Sequence, residues 1–199
     1  MANAQLAEKP PYLGLLNAIS LAETSAGVYL EAWANATPDE DLACALRLVA
    51  ARETSHGQVF CRRIAELGYT LRQKPDASAA KRLAKLANPA ISDLEKIGDE
   101  REEADPFREI KRGIANDAYD PMTCNLLSWY IAEEGDSGRR LRAAYDCVRE
   151  KAHDRSGKAN GRAAQSMGPS DDAQAIMACM SDGFARLEKS FEKLARAVK

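Results

Sequence analysis

The sequence predicts an all-α protein, built as a bundle of long amphipathic helices. The composition is dominated by Ala, Leu, Glu, Lys and Arg, with only 6% aromatic residues, and these residue types favour helices. Apolar residues also recur three and four positions apart over long stretches. A chain of 199 residues is long enough to bury a substantial core, so we expect a single domain over residues 1–199.

The first long helix is predicted over residues 12–34. Its inward stripe has the spacing that is typical of a bundle helix. The stripe consists of Leu16, Ile19, Glu23, Ala26, Leu30 and Trp33. One member of this otherwise apolar stripe is therefore a carboxylate.

The second long helix is predicted over residues 38–67. Thr37 and Glu40 have the spacing of a capping box, Pro38 occupies the first helical position, and Gly68 is placed to end the helix. Because only about three residues connect the two helices, we expect them to pack antiparallel. The inward stripe consists of Leu42, Leu46, Val49, Glu53, His56, Phe60, Ile64 and Leu67.

Residues 69–119 have a different character, with short amphipathic pieces separated by Asn88-Pro89 and Asp105-Pro106. Short helices between long ones are typical of a crossover connection. We therefore predict a long helical crossover rather than a second domain.

A third long helix is predicted over residues 121–153, capped by Asp120. Two registers compete along it. The more apolar register directs Glu134 inward and leaves Glu133 at the margin. It consists of Leu127, Ile131, Glu134, Gly138, Leu141, Tyr145 and Val148.

A fourth long helix is predicted over residues 171–198, after a polar, glycine-rich loop that begins at His153. Its inward stripe is entirely apolar and consists of Met177, Met180, Phe184, Leu187, Phe191, Leu194 and Val198. The nearest carboxylate to that stripe at mid-height is Glu188.

Four polar residues thus lie on stripes that face the predicted core, namely Glu23, Glu53, His56 and Glu134. Glu23 lies about 12 residues before the first turn and Glu53 about 15 after it, so at about 1.5 Å per residue both reach nearly the same height. A crossover that makes the third helix parallel to the second places Glu134 in the same layer. Unpartnered buried carboxylates are very costly, so this layer needs protons, cations or a metal ion.

Carboxylate oxygens together with one imidazole suit iron, manganese or zinc. Glu53 and His56 are three residues apart, so one helix offers an oxygen and a nitrogen to the same ion. The sequence therefore predicts a metal site inside the bundle.

Glu23, the Glu-x-x-His element of Glu53 and His56, the long crossover and Glu134 together resemble the ferritin-like superfamily. This group includes ferritins, rubrerythrins and carboxylate-bridged diiron oxygenases. The resemblance implies a ferritin-like four-helix bundle that binds iron or manganese. It also implies that Glu23, Glu53 and His56 hold one ion, and that Glu53 bridges to a second ion near Glu134.

The chain departs from the full diiron pattern. Diiron members carry a second Glu-x-x-His element on the fourth helix, whereas residues 171–198 contain no histidine and Ser137 stands three residues after Glu134. No CxxC pair is present to form a rubredoxin-like module. The resemblance therefore implies one well-furnished metal position and a poorly furnished second one.

Charge and composition limit the classes of binding partner that the sequence favours. A net charge of −2 with both signs interspersed gives no bulk attraction to nucleic acid or an anionic membrane. No stretch is predicted to reach the roughly 20 apolar residues of a membrane span. The N-terminus has no secretory pattern and the five cysteines are scattered, so we expect a cytoplasmic protein with free thiols.

The leading hypothesis is a metal-binding protein that performs oxygen or peroxide chemistry, as a non-haem iron or manganese oxidoreductase or hydroxylase. Its expected partners are oxygen, peroxide or a small substrate. A homodimer is a further possibility. One alternative is a metal-free ferritin-like scaffold that acts through protein–protein contacts. Another is an iron-handling protein that does not form a cage.

Overall fold

The computed structural model describes residues 9–98 and 105–159, which form six helices and no strand. The helices are α1 (Leu13–Ala36), α2 (Glu40–Glu66), α3 (Ala79–Leu86), α4 (Asp93–Ile97), α5 (Arg108–Ala115) and α6 (Pro121–Ala159). The all-α class is confirmed. The predicted fourth long helix over residues 171–198, and Glu188 with it, lie outside the described residues.

The connection between α1 and α2 is as short as expected, but its capping residue is not the one predicted. The Asp39 carboxylate accepts a hydrogen bond from the backbone N–H of Leu42 at 3.2 Å. Thr37 Oγ1 accepts from the backbone N–H of Asp39 at 3.1 Å and donates to Asp93 at 2.6 Å. The predicted capping box is therefore wrong. α2 begins two residues later than predicted, where Asp39 offers the side-chain acceptor that a first turn requires.

Two glycines allow the backbones of α1 and α2 to approach closely. A Cβ atom at Gly27 would lie 3.0 Å from the carbonyl oxygen of Ala50. One at Gly57 would lie 3.0 Å from the backbone nitrogen of Thr24. Because these two close contacts flank the inward carboxylates of both helices, they set the distance across which those carboxylates face each other.

A polar network anchors the start of α6 to the α1–α2 hairpin. Asp120 accepts hydrogen bonds from the backbone N–H groups of Met122 at 3.0 Å and Thr123 at 3.2 Å, which confirms it as the cap. The same carboxylate accepts from the Tyr12 hydroxyl at 2.6 Å and from Arg63 at 2.8 Å. Burial alone would raise the pKa of Asp120, but these hydrogen bonds outweigh it and hold that pKa well below its usual range.

α6 is longer than the sequence predicted. The polar loop was expected to begin at His153, whereas the helix continues to Ala159. No proline interrupts this stretch, and a single glycine such as Gly157 costs a helix only about 1 kcal/mol, so the helix propagates past it.

The core consists of two apolar clusters, one on each side of the polar layer along the bundle. The cluster nearer the α1–α2 turn includes Leu86 of α3 and Ile97 of α4, and the other includes Ile110 of α5. The predicted short helices of the crossover are therefore present. They pack on the core formed by α1, α2 and α6.

Within the described residues, α1 alone is long and apolar enough to cross a membrane, judged by length and composition only. This corrects the expectation that no stretch would meet that criterion. The core helix of a soluble protein and a signal sequence satisfy the same test, so the finding is weak evidence. In this structure α1 buries Ser20 and Glu23, and Ser20 Oγ donates to the Gly57 carbonyl of α2 at 2.8 Å.

We expect Gly27→Ala to lower the free energy of unfolding by about 1–3 kcal/mol, because the added methyl group meets backbone atoms of α2 that cannot move independently. Urea denaturation followed by circular dichroism measures this. Gly14→Ala on the same helix is the matched control. No atom lies within 4 Å of a Cβ there, so its stability should be unchanged or higher by up to about 1 kcal/mol. Equal stabilities for the two variants would contradict the close packing of α1 on α2.

Candidate metal centre

The structure brings the four predicted site residues together. One ligand atom from each of Glu23, Glu53, His56 and Glu134 lies within 4.8 Å of the others. The exposed fractions of these residues are 5%, 1%, 0% and 6% respectively. The layer that was predicted by counting along three helices therefore exists, and it is sealed inside the core.

Apolar neighbours on each helix hold the four residues inward. On α2, Val49 and Phe60 are fully buried on either side of the Glu-x-x-His element. On α6, Leu127 and Leu141 flank Glu134 in the same way. The more apolar register of α6 is thus the one observed, with Glu134 inward.

The His56 imidazole lies at the centre of the cluster. Its Nδ1 atom is 3.1 Å from a Glu134 oxygen, 3.6 Å from a Glu23 oxygen and 4.0 Å from a Glu53 oxygen. Its Nε2 atom is 2.8 Å from Glu133 Oε2. One edge of the ring therefore faces three buried carboxyl groups, and the opposite edge is held by a fourth.

Each of the four site residues also contributes a buried polar atom without a hydrogen-bond partner. These atoms are Glu23 Oε2, Glu53 Oε1, His56 Nδ1 and Glu134 Oε1. His56 Nδ1 lies 3.1 Å from Glu134 Oε1, yet neither atom has a hydrogen-bond partner. Orphaned buried polar atoms are rare in folded proteins and call for an explanation. A metal ion bound among them would satisfy all four.

Two further residues, Tyr130 and Glu133, complete the cluster, although neither is among the predicted site residues. The Tyr130 hydroxyl donates to Glu23 Oε1 at 2.7 Å, and its ring meets the His56 ring edge-on at 5.2 Å. From the sequence alone, Tyr130 has the pattern of a core aromatic. Its position one helical turn before Glu134 was the available signal, because residues four apart share a face. Glu133, interpreted as marginal, is indeed partly exposed, yet it contacts His56.

Burial and charge shift the protonation of the cluster. Burial raises the pKa of Glu53 to about 12, and the neighbouring Glu23 and Glu134 add to the shift. Burial also raises the pKa of Glu134, against the opposing effect of its contact with His56. Burial alone would lower the pKa of His56, but the carboxylates around it raise that pKa to about 10. Without a metal, protonation of these carboxyl groups therefore reduces the repulsion between them.

The donor set fits one metal ion. Oxygen and nitrogen ligands bind such ions at about 2.0–2.2 Å, so donors around a single ion lie up to about 4.4 Å apart. The separations of up to 4.8 Å observed here need only a small contraction. Three oxygens and one imidazole nitrogen suit several divalent and trivalent metals.

The turn of α6 that follows Glu134 is occupied by protein groups. Ser137 is buried and lies 3.3 Å from Arg52 of α2, which also pairs with Asp136 at 2.8 Å. The four-residue cluster is accordingly the candidate centre in the part of the chain that the structure describes.

Comparison with models of protein families, with curated proteins and with solved structures gives no match to this chain.

We expect Glu53→Gln to stabilise the metal-free protein at pH 8. The raised pKa of Glu53 means that the native state keeps a proton that the unfolded state releases. Its contribution to stability is therefore fully present below the unfolded pKa of about 4.3 and is lost as the pH rises from there towards 12. Glutamine has the shape of the neutral acid and removes this loss. The expected gain is on the order of 1–4 kcal/mol.

Denaturant titrations at pH 5 and pH 8 with a chelator present measure this effect. Glu150→Gln, at an exposed position of α6, is the control that removes one carboxylate without entering the core. The gain of Glu53→Gln over wild type should be larger at pH 8 than at pH 5. A loss of stability at pH 8 would contradict the assigned environment of Glu53.

Proposed function

We propose that this protein is a metal-binding protein of the ferritin-like class that holds iron or manganese between α1, α2 and α6. The observation that carries the proposal is the set of four unpartnered buried atoms, one from each of Glu23, Glu53, His56 and Glu134. A purely structural core would have filled this layer with apolar groups or satisfied its polar atoms, since each unsatisfied buried group costs about 1–3 kcal/mol.

The residues around the ligands have orienting roles in this proposal. Glu133 contacts His56 Nε2 and thereby directs the Nδ1 lone pair towards the three carboxylates. Tyr130 occupies one oxygen of Glu23 and leaves the other oxygen available as a ligand. A metal ligand held on its far side in this way loses little rotational freedom when the ion binds.

Bound iron or manganese would supply one-electron redox chemistry towards oxygen or peroxide. We propose a non-haem oxidoreductase or hydroxylase activity on that basis. Near-complete burial of the four ligands supports small reactants such as oxygen, peroxide or a small substrate over a macromolecule. The mixed surface charge likewise supports neither nucleic acid nor a membrane as the partner.

A metal-free scaffold is the competing function, and one observation favours it. His56, with its pKa raised to about 10, can act as a protonated centre between Glu133 and Glu134 without any ion. In that case the cluster is a structural device and the protein acts through its surface.

Metal content and melting temperature separate the two functions. We expect purified wild-type protein to contain close to one equivalent of iron or manganese by mass spectrometry and to melt at a lower temperature after chelation. An ion at a hundredfold excess over its Kd contributes about 2.7 kcal/mol. For a chain of this size, that energy corresponds to roughly 5–10 °C.

Glu53→Ala should lose both the metal and the response to chelator. Glu150→Ala, which removes an exposed carboxylate from α6, should keep both. The proposal fails if wild-type protein reconstituted with iron or manganese retains neither ion. It also fails if chelation leaves the melting temperature of the reconstituted protein unchanged. Either result would favour the metal-free scaffold.

A further inference from the structure

We propose that the four-residue cluster selects its ion by charge and holds a trivalent metal ion in preference to a divalent one. The inference rests on the proposed metal-binding function and adds the chemical class of the ion. It rests on the charges that the three carboxylates place in the core, with no balancing positive charge beside them among the described residues.

The cluster carries three negative charges when it binds a metal. Metal ligands bind in their deprotonated form, so Glu23, Glu53 and Glu134 each contribute one negative charge while the His56 imidazole is neutral. A single trivalent ion balances these charges. A divalent ion leaves one uncompensated negative charge inside the core.

Within residues 9–98 and 105–159, no basic side chain supplies the missing positive charge. Among the described residues, His56 is the only basic group within 4.0 Å of these carboxylates, and as a ligand it is neutral. Arg52 influences Glu53 from a greater distance, and its guanidinium is engaged by Asp136 at 2.8 Å. The surroundings of the cluster therefore do not favour a divalent ion.

Burial makes the imbalance costly. The four ligands are exposed by 6% or less, so neither water nor salt screens the extra charge as it would at the surface. The Glu133 carboxylate, 2.8 Å from His56 Nε2, places a further negative charge behind the imidazole. Both features favour the ion of higher positive charge.

The preference bears on the identity of the metal. Iron and manganese have accessible trivalent states, whereas zinc has no redox chemistry and stays divalent. A site that selects by charge would thus discriminate against zinc even though its oxygen and nitrogen donors suit zinc. The same preference would lower the reduction potential of a bound iron ion.

Gallium(III) and zinc(II) test the selection directly because neither changes its oxidation state. Each is supplied from a nitrilotriacetate buffer, and bound metal is measured by equilibrium dialysis and mass spectrometry. Removing one carboxylate charge should weaken the trivalent ion more than the divalent one. We expect Glu134→Gln to lower the ratio of gallium to zinc affinity at least tenfold. For the one-electron couple of a bound iron ion, a tenfold loss of preference for the trivalent state corresponds to a rise of about 59 mV in its reduction potential.

Glu150→Gln is the matched control, because it removes one carboxylate charge from the exposed face of α6, about 24 Å along the helix from Glu134. It should leave the ratio of gallium to zinc affinity unchanged. Glutamine matches the protonated acid in shape, so the folded structure should tolerate the change. Glu53→Gln is the second variant, with the same expected direction.

The inference is overturned if both core variants bind the two ions with the wild-type affinity ratio, or with a higher one. That outcome leaves the metal site itself intact. A different outcome, in which wild-type protein binds neither ion, overturns the proposed function and this inference together.

Discussion

Three carboxyl groups crowd around one imidazole in the middle of this helical core, and the surrounding structure has to accommodate their mutual repulsion. Like charges at these distances in a poorly solvated site cannot all be ionised without compensation. The chain compensates with protons when no metal is present, as the raised pKa of Glu53 shows. A metal ion is the alternative that satisfies the four orphaned atoms at once. The layer therefore costs stability in the metal-free state, which is typical of functional sites and unusual in a core selected only for packing.

The rest of the bundle fixes the position of this layer. Gly27 and Gly57 bring α1 and α2 to a separation at which their carboxylates face one another. At the far end, Asp120 joins the start of α6 to Tyr12 and Arg63 of the hairpin, which sets the height of Glu134 along the bundle. Two apolar clusters, to which the crossover helices contribute, close the core above and below. Each of the four cluster residues thus stands on a helix that is held by contacts remote from the polar layer itself.

Much of the site could be predicted from sequence because helix geometry is regular. A rise of about 1.5 Å per residue, counted from the helix starts and turns, places Glu23, Glu53 and Glu134 at one height from the sequence alone. The choice between Glu133 and Glu134 followed from the more apolar stripe. The structure also shows that both residues contact His56. Glu133 lies at the Nε2 edge of its ring and Glu134 at the Nδ1 edge. Periodicity assigns a residue to a face, but it does not describe a side chain that reaches around the edge of that face.

Other features depend on tertiary contacts that a single sequence does not display. Tyr130 lies on an apolar stripe like any core aromatic, and only the approach of α1 gives its hydroxyl a carboxylate partner. Thr37 has the pattern of a capping residue, yet its hydroxyl donates a hydrogen bond to Asp93 of the crossover, and Asp39 caps α2. α6 continues beyond His153, where a loop was predicted to begin, because local helix propensity outweighs the cost of Gly157. In each case a partner distant in sequence, or a small energetic balance, determined the outcome.

The central claim is that Glu23, Glu53, His56 and Glu134 bind one ion in common. An anomalous-difference map from crystals of the metal-loaded protein, collected at the absorption edge of that metal, tests it most directly. The account predicts a single strong peak at about 2 Å from one atom of each of the four side chains. A map of fully loaded protein with no peak in this layer, or with its peak at surface residues, would contradict it.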